Sequence, residues 1–297
     1  MAISPSAPNP PTMSETSETG ESDESVLLSE EPPLDLRLSG SELEATREHL
    51  VEFVASQVDA AGADGAVLGL SGGIDSTTVA YLAVEALGAD SVHGLVMPGK
   101  VNTDENMSDA ERVAEDLGIE YDVVEIEPIA ESFYDALPGA ADEHMAASNV
   151  RVRVRAVLNY FVANAESLLV LGTGNYSEAA TGYFTKYGDG AVDCLPLGNL
   201  YKQQVRQLAK RMGVPHDLVM KTPSAEMWTG QTDEEELGMD YDTLDAVLAL
   251  HVEGPLSTAA TTRYVDVTED QVERVEQLYD VSKHKRAFPP APDELRL

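Results

Sequence analysis

The stretch AVLGLSGGIDSTT, residues 66–78, decides the fold. Its apolar run Ala66–Leu70 has the length and composition of a strand buried on both faces. Through Ser71-Gly72-Gly73 it passes directly into a helical pattern, residues 76–87, that Gly88 ends. A strand feeding a helix through a glycine-rich turn aims the free N–H groups of the helix N-terminus at the carboxyl end of the strand. Such a turn is suited to an anion of the phosphate kind. Gly72 and Gly73 permit positive φ and close backbone approach, the Ser71 and Ser76 hydroxyls add donors, and Asp75 adds a carboxylate able to hold Mg²⁺. A lone Gly-Gly would pass as an ordinary capped turn; Ser-Gly-Gly-x-Asp-Ser after an apolar strand is far more specific.

Working outward, short apolar strands alternate with amphipathic helices. Strands are expected at 91–98, 120–128 and 167–174, and helices at 103–117, 142–165 and 202–212. A polar segment, 222–238, follows, and then helices near 241–251 and 268–284. This alternation implies an α/β fold, a Rossmann-like parallel sheet with helices on both faces. Ahead of it, Ser41 and Glu44 form a capping box opening a helix over 41–60, with Leu43, Leu50, Val51, Val54 and Val58 on one face. Residues 1–40 are rich in Ser, Thr, Pro and Glu and read as a disordered acidic tail, leaving 41–297 as a single domain. GLVMPGKV, residues 94–101, imitates a GxxxxGK[ST] loop, but Val101 stands where the hydroxyl is needed. It reads as a strand end plus turn, with Lys100 near the mouth of the site.

Lys and Arg total 19 against 53 Asp and Glu, a net charge of −34. That field repels nucleic-acid phosphates and anionic membranes, so neither is an expected partner. No apolar stretch is long enough to span a bilayer, and a cytoplasmic location is expected. Cys194 is the only cysteine, which excludes an internal disulfide, and the six His are scattered without HExxH. The acidity fits either a surface for a basic partner or adaptation of the whole surface to high salt. Its spread along the chain, with only seven Lys, favours adaptation to salt.

The Ser-Gly-Gly-x-Asp-Ser loop resembles that of the PP-loop ATP pyrophosphatases, the adenine nucleotide alpha hydrolase-like group. Further motifs narrow the resemblance. They are GTGNYSE at 172–178, TGYFTKYGDG at 181–190 with Asp193, KTPSAE at 221–226, QTDE at 231–234, Asn149 to Arg155, Lys202, and SKHKR at 282–286. Together they are similar to ammonia-dependent NAD⁺ synthetase over about residues 41–290. The resemblance implies ATP contacts at Gly69, Leu70, Ser71, Gly72, Gly73, Ile74, Asp75, Ser76, Thr173, Lys202 and Ser224. It implies Mg²⁺ ligands at Asp75 and Glu178, and deamido-NAD⁺ contacts at Arg153, Lys186, Asp193, His284 and Lys285. The resemblance also implies a catalytic role for Asp75 and Lys186. The family usually has Thr where this chain has Ser224; the hydroxyl survives. Read alone, Glu178 would be a solvated helix acid, Lys202 a surface lysine, and Asp233 and Glu234 solvated acids in a loop. Arg151, Arg153 and Arg155 alternate with valines as in a strand, while the resemblance makes the segment helical; ion pairs are the bland account of the three.

The implied activity is ATP-dependent amidation of deamido-NAD⁺ with ammonia through an adenylated nicotinate carboxylate, releasing AMP and pyrophosphate, by a homodimer. A tRNA-thiolating relative would need a basic RNA-binding face and often paired cysteines, and neither is present. A nucleotide sensor without catalysis would have no need of Asp75, Glu178 and Lys186.

Overall fold

The computed structural model describes residues 35–99, 104–224 and 230–292, without the side chains of 104–106. Of the tail expected over 1–40, residues 1–34 lie outside the described residues, as do Lys100 and Val101. In chain order the elements are α1 (Gly40–Ala61), β1 (Gly65–Leu70), α2 (Ile74–Leu87), β2 (Val92–Val96), α3 (Asp104–Leu117), β3 (Glu120–Val123), α4 (Glu127–Ala136), α5 (Pro138–Ala141), α6 (His144–Glu166) and β4 (Leu168–Val170). They continue with α7 (Tyr176–Thr181), α8 (Lys202–Met212), α9 (His216–Val219), α10 (Asp233–Leu237), α11 (Tyr241–Val247), α12 (Thr258–Tyr264) and α13 (Glu269–Val281). None of the described helices is long and apolar enough to cross a membrane.

The four strands run parallel in the order β3-β2-β1-β4. Successive side chains of β1 point to opposite faces, and both faces are covered. Ala66, Leu68 and Leu70 pack with Leu50 and Val54 of α1, Leu82 of α2 and Leu208 of α8. Val67 instead joins Leu95, Val170 and, from α6, Val154 and Ala163. The sheet is therefore doubly wound, as expected from the alternation of elements. A further cluster, built around Tyr241, Leu244, Leu248, Val272 and Val275, unites α11 and α13 with Ala180 of α7.

Topology fixes where a ligand belongs. From β1 the chain crosses through α2 to β2 on one side, whereas β4 flanks β1 on the other. The carboxyl ends of β1 and β4 thus open a crevice at the topological switch point. The loops after these strands are 71–73 and 171–175.

Three local expectations shift. The capping box is Ser39 with Glu42, two residues earlier than Ser41 with Glu44, because Glu44 is engaged by Arg47 and Arg211. Residues 36–38 lie within the expected tail, yet the Leu36 and Leu38 carbonyls accept from Gln204 and Gln207 of α8 at 2.9 and 3.2 Å. β3 stops at Val123, since Pro128 falls in the first turn of α4, where a proline suits a helix start. The backbone still follows β2 for a few residues, with Val124 N–H bonded to the Val96 carbonyl at 2.8 Å.

Candidate active site

The loop after β1 is shaped by one glycine rather than two. Gly72 has φ 71°, whereas Gly73 has an extended φ of −89° and serves as N-cap of α2. Gly73 offers no side-chain acceptor to the first turn. Ser76 is buried, and its hydroxyl ties the loop by accepting from the Ser71 N–H at 3.3 Å and donating to the Gly73 carbonyl at 3.2 Å. Ser71 is exposed. Every residue from Gly69 to Ser76 except Gly72 lines a cavity of about 990 Å³, as do Thr173, Glu178, Lys202 and Ser224.

At the floor of this cavity, elements distant in sequence meet on one ammonium. Lys202, first residue of α8, is 1% exposed, and its Nζ lies 2.5 Å from Asp75 Oδ2 and 3.1 Å from Glu178 Oε1. It also sits 4.9 Å from the centre of the Tyr241 ring. Burial alone would lower its pKa, but the two carboxylates outweigh that and raise it, so the lysine stays charged. Glu178 is pushed up to about 7, first by burial and then by Asp75 and Asp233, against the opposing pull of Lys202. Local structure sets these side chains. Asn175 caps α7 through a reciprocal box with Glu178, and its amide donates to Asp75 Oδ1 at 2.9 Å. The N-termini of α7 and α8 are tied together by Asp245, which accepts from the Ser177 hydroxyl and, at 3.0 Å, from the Gln203 N–H. Burial pushes this carboxyl up to about 7.

Asp233 departs from its expectation as a solvated acid: it is 4% exposed, while Glu234 is exposed as expected. One Asp233 oxygen accepts from the Tyr241 hydroxyl at 2.9 Å, and the other has no hydrogen-bond partner among the described residues. Burial raises its pKa.

The segment 149–155 lies within helix α6, so the valine-arginine alternation does not make a strand. Arg151 pairs with Glu127 at 2.9 Å, Arg153 donates to the Lys186 carbonyl at 3.2 Å, and Arg155 to the Met97 carbonyl at 3.0 Å. Arg153, Lys186, His284 and Lys285 all border the cavity. Lys186 donates to the His284 carbonyl. Lys285 is turned to the backbone, donating to the Gly182 and Phe184 carbonyls, each at 2.7 Å. Gly182 is required there: with φ 69°, it faces Ser282 so closely that a Cβ would lie 2.2 Å from the Ser282 Cβ. Asp193 is not in the cavity wall. Its carboxylate accepts from the Val170 N–H at 2.8 Å and the Tyr160 hydroxyl at 3.1 Å, bracing β4. Ser224 donates to the Gln231 carbonyl at 2.7 Å. Residue-by-residue reading missed Asn175, Lys221, Tyr241 and Asp245; of these only Asn175 and Lys221 fall in motifs that flagged their region.

A crevice with these groups is suited to a nucleotide triphosphate, with hydroxyls and a helix N-terminus for phosphate and a carboxylate pair for a hard cation. Comparison with known proteins agrees. The NH(3)-dependent NAD(+) synthetase of Halobacterium salinarum is 63% identical over 260 residues, covering 88% of this chain and 97% of the relative. Among solved structures, the NMN synthetase of Francisella tularensis superposes with a TM-score of 0.75 at 35% identity, covering 85% of this chain and 99% of that one. The NH3-dependent NAD synthetase of Campylobacter jejuni gives 0.71 at 28% identity, with 84% and 99% covered. The NAD synthase family model matches residues 46–289, and the chain belongs to the NAD synthase family.

Proposed function

We propose that the chain converts deamido-NAD⁺, ATP and ammonia into NAD⁺, AMP and pyrophosphate, using the cavity between the 69–76 loop and the β4 loop. The observation that carries the reading is the convergence of Asp75, Glu178 and Lys202 at the switch-point crevice. The nicotinate carboxylate is a poor electrophile, so a carboxylate oxygen attacks the α-phosphorus of ATP and the bond to the bridging oxygen breaks, releasing pyrophosphate. Ammonia then adds to the acyl carbon of the adenylate, loses a proton, and expels AMP. This chain's contribution is positioning and charge. The 71–76 loop and Lys202 offset the negative charge of the leaving pyrophosphate, while Arg153, Lys186 and His284, with Thr173 and Ser224, hold the two substrates across the cavity. Lys285 supports the same wall by fixing the 182–184 backbone.

The donor set fits Mg²⁺. Asp75 and Glu178 are hard oxygen ligands that already share one cation, and the unpartnered, buried oxygen of Asp233 lies close enough for its charge to raise the Glu178 pKa. Mg²⁺ held by Asp75 and Glu178 would neutralise phosphate charge and activate the α-phosphorus. The homodimer also belongs to this proposal. Phe161 and Val157 on α6 are 71% and 66% exposed and stand with Tyr187 and Arg153 around a shallow apolar depression. That face, next to the cavity wall, suits a second copy of the chain.

Purified protein incubated with ATP, Mg²⁺, deamido-NAD⁺ and ammonium over a range of KCl concentrations should form NAD⁺; none at any salt concentration would refute the reading. Asp75→Asn should lower kcat/KM at least about a hundredfold, in line with loss of a charged group used in the transition state. The likeness to the NMN synthetase supports a second reading, amidation of the shorter nicotinate mononucleotide at the same site. The ratio of kcat/KM for the two acceptors decides between them.

A further inference from the structure

Lys221, the first residue of the KTPSAE motif, has no part in the chemistry above. Its Nζ lies 2.6 Å from Asp109 Oδ2 on α3 and donates to the Gly72 carbonyl at 3.3 Å. Asp109 is held in turn by Arg112 at 3.2 Å, and Arg112 by Asp217 of α9 at 2.7 Å. A chain of ion pairs thus runs from α9 through α3 to the phosphate loop.

Its end point is the peptide between Gly72 and Gly73. The peptide bond is trans, so the Gly72 carbonyl and the Gly73 N–H point in opposite directions. With the carbonyl drawn toward Lys221, the N–H faces the other way, where it meets the Ser71 hydroxyl at 3.3 Å; Ser71, Gly73 and Lys221 all border the cavity. Gly72, with φ 71°, is the residue least able to resist rotation of this peptide by its own sterics. An untethered peptide that turned over would present a carbonyl oxygen to the anion where a donor is needed.

We propose that Lys221 is a positioning residue that locks the Gly72–Gly73 peptide with its N–H toward the phosphates of ATP, and that Asp109 anchors it. The proposal rests on the ATP-dependent reading of the site. The opposing possibility, that Lys221 leaves Asp109 to touch phosphate directly, makes the opposite prediction for Asp109. If Asp109 is an anchor, Asp109→Asn weakens ATP binding. If Asp109 merely competes with phosphate for the ammonium, Asp109→Asn strengthens it.

The test is steady-state kinetics with pyrophosphate binding measured by calorimetry, which needs no turnover. Lys221→Met should raise the KM for ATP and the Kd for pyrophosphate about ten- to hundredfold, the effect of one hydrogen bond to a charged group. The KM for deamido-NAD⁺ should stay within twofold, Lys221→Arg should recover most of the loss, and Asp109→Asn should lose affinity in the same direction. Tighter pyrophosphate binding by Asp109→Asn would overturn the proposal. So would unchanged ATP and pyrophosphate constants in Lys221→Met, or an equal loss for both substrates. The wild-type rate of NAD⁺ formation, taken alongside, tests the underlying reading separately.

Discussion

Replacing Lys202 by Met removes the cation on which two carboxylates converge while keeping the volume of the stem. Asp75 and Glu178 side chains are 18% and 17% exposed, and both approach the same nitrogen, at 2.5 and 3.1 Å. Without it they face each other across roughly 5 Å, where two unit charges at an effective dielectric of 20 repel by about 3 kcal/mol. Uncompensated burial places the total at about 3–5 kcal/mol. For a folded region of this size, about 2 °C of Tm per kcal/mol, the expected fall is about 6–10 °C. The loss depends on ionisation. Glu178 is pushed up to about 7 even beside the ammonium and rises further once Lys202 is gone, so it takes a proton at pH 6 and relieves the repulsion, and the fall grows as pH rises to 8 and above. Thermal melts at pH 8 in fixed KCl, with EDTA or with millimolar Mg²⁺, provide the assay. Mg²⁺ should restore at least half of the loss in Lys202→Met and stabilise the wild type less, because there the ammonium competes for the same oxygens. A fall under 2 °C in EDTA, or one that Mg²⁺ leaves untouched, would refute both the electrostatic account and the assignment of Asp75 and Glu178 as a cation site.

Asp245 is buried with a pKa pushed up to about 7, above its unfolded value, so the folded state binds the extra proton and the stability this contributes is lost as pH rises through 7. Asp245→Asn should flatten the decline in Tm between pH 5 and 8, and an unchanged slope would show that Asp245 does not titrate there. Tm should rise by several degrees as KCl goes from 0.1 to 2 M, as the Debye length shrinks from about 10 Å to a few Å; a flat or falling Tm would remove the high-salt reading. Deleting residues 1–34 should leave Tm and activity within error. Extending the deletion through Ser39 should cost about 1–2 kcal/mol through the lost cap and the Gln204 and Gln207 bonds, seen as a lower urea midpoint.

What was legible in the sequence was local or periodic. Residues 66–78 carry strand, turn and helix in one run, and each glycine after a helical pattern, Gly88, Gly118 and Gly213, stands just past a helix end. Where two strings of the same pattern compete, local reading fails. Ser39-x-x-Glu42 and Ser41-x-x-Glu44 are equivalent on paper, and contacts with Arg47 and Arg211 settle which one caps α1. Burial of charge is still less local. Lys202 and Asp233 look like surface residues in their own segments, and only the meeting of α2, α7, α8, α10 and α11 encloses them. The functional motifs mark Lys202 and Glu178 for nucleotide and metal, but could not tell that the lysine stands between the Asp75 and Glu178 carboxylates. Asp193 and Lys285 show the reverse limit. Their motifs mark a substrate-binding region, and their side chains spend their hydrogen bonds on β4 and on the 182–184 backbone.

The distribution of charge connects the acidic surface with the site. Of the chain's seven lysines, Lys186, Lys202, Lys221 and Lys285 border the one cavity. Among the described lining residues, these four with Arg153, Arg155 and Arg274 outnumber Asp75, Glu178, Asp189, Asp233 and Glu236, so the balance reverses locally against a net −34. This placement suits molar salt. There the Debye length is about 3 Å, shorter than the spacing between surface acids yet comparable to a direct contact. Repulsion across the surface is screened, while pairs at 2.5 to 3.1 Å such as Lys202 with Asp75 and Glu178 keep most of their attraction, helped by burial that excludes ions. Steering of anionic substrates from a distance is lost in the same medium, so recognition must come from contact. That requires the cations to stand within or against the crevice, and Lys186, Lys202, Lys221 and Lys285 are fixed there by carbonyls and carboxylates, Lys221 and Lys285 shaping the backbone of the wall.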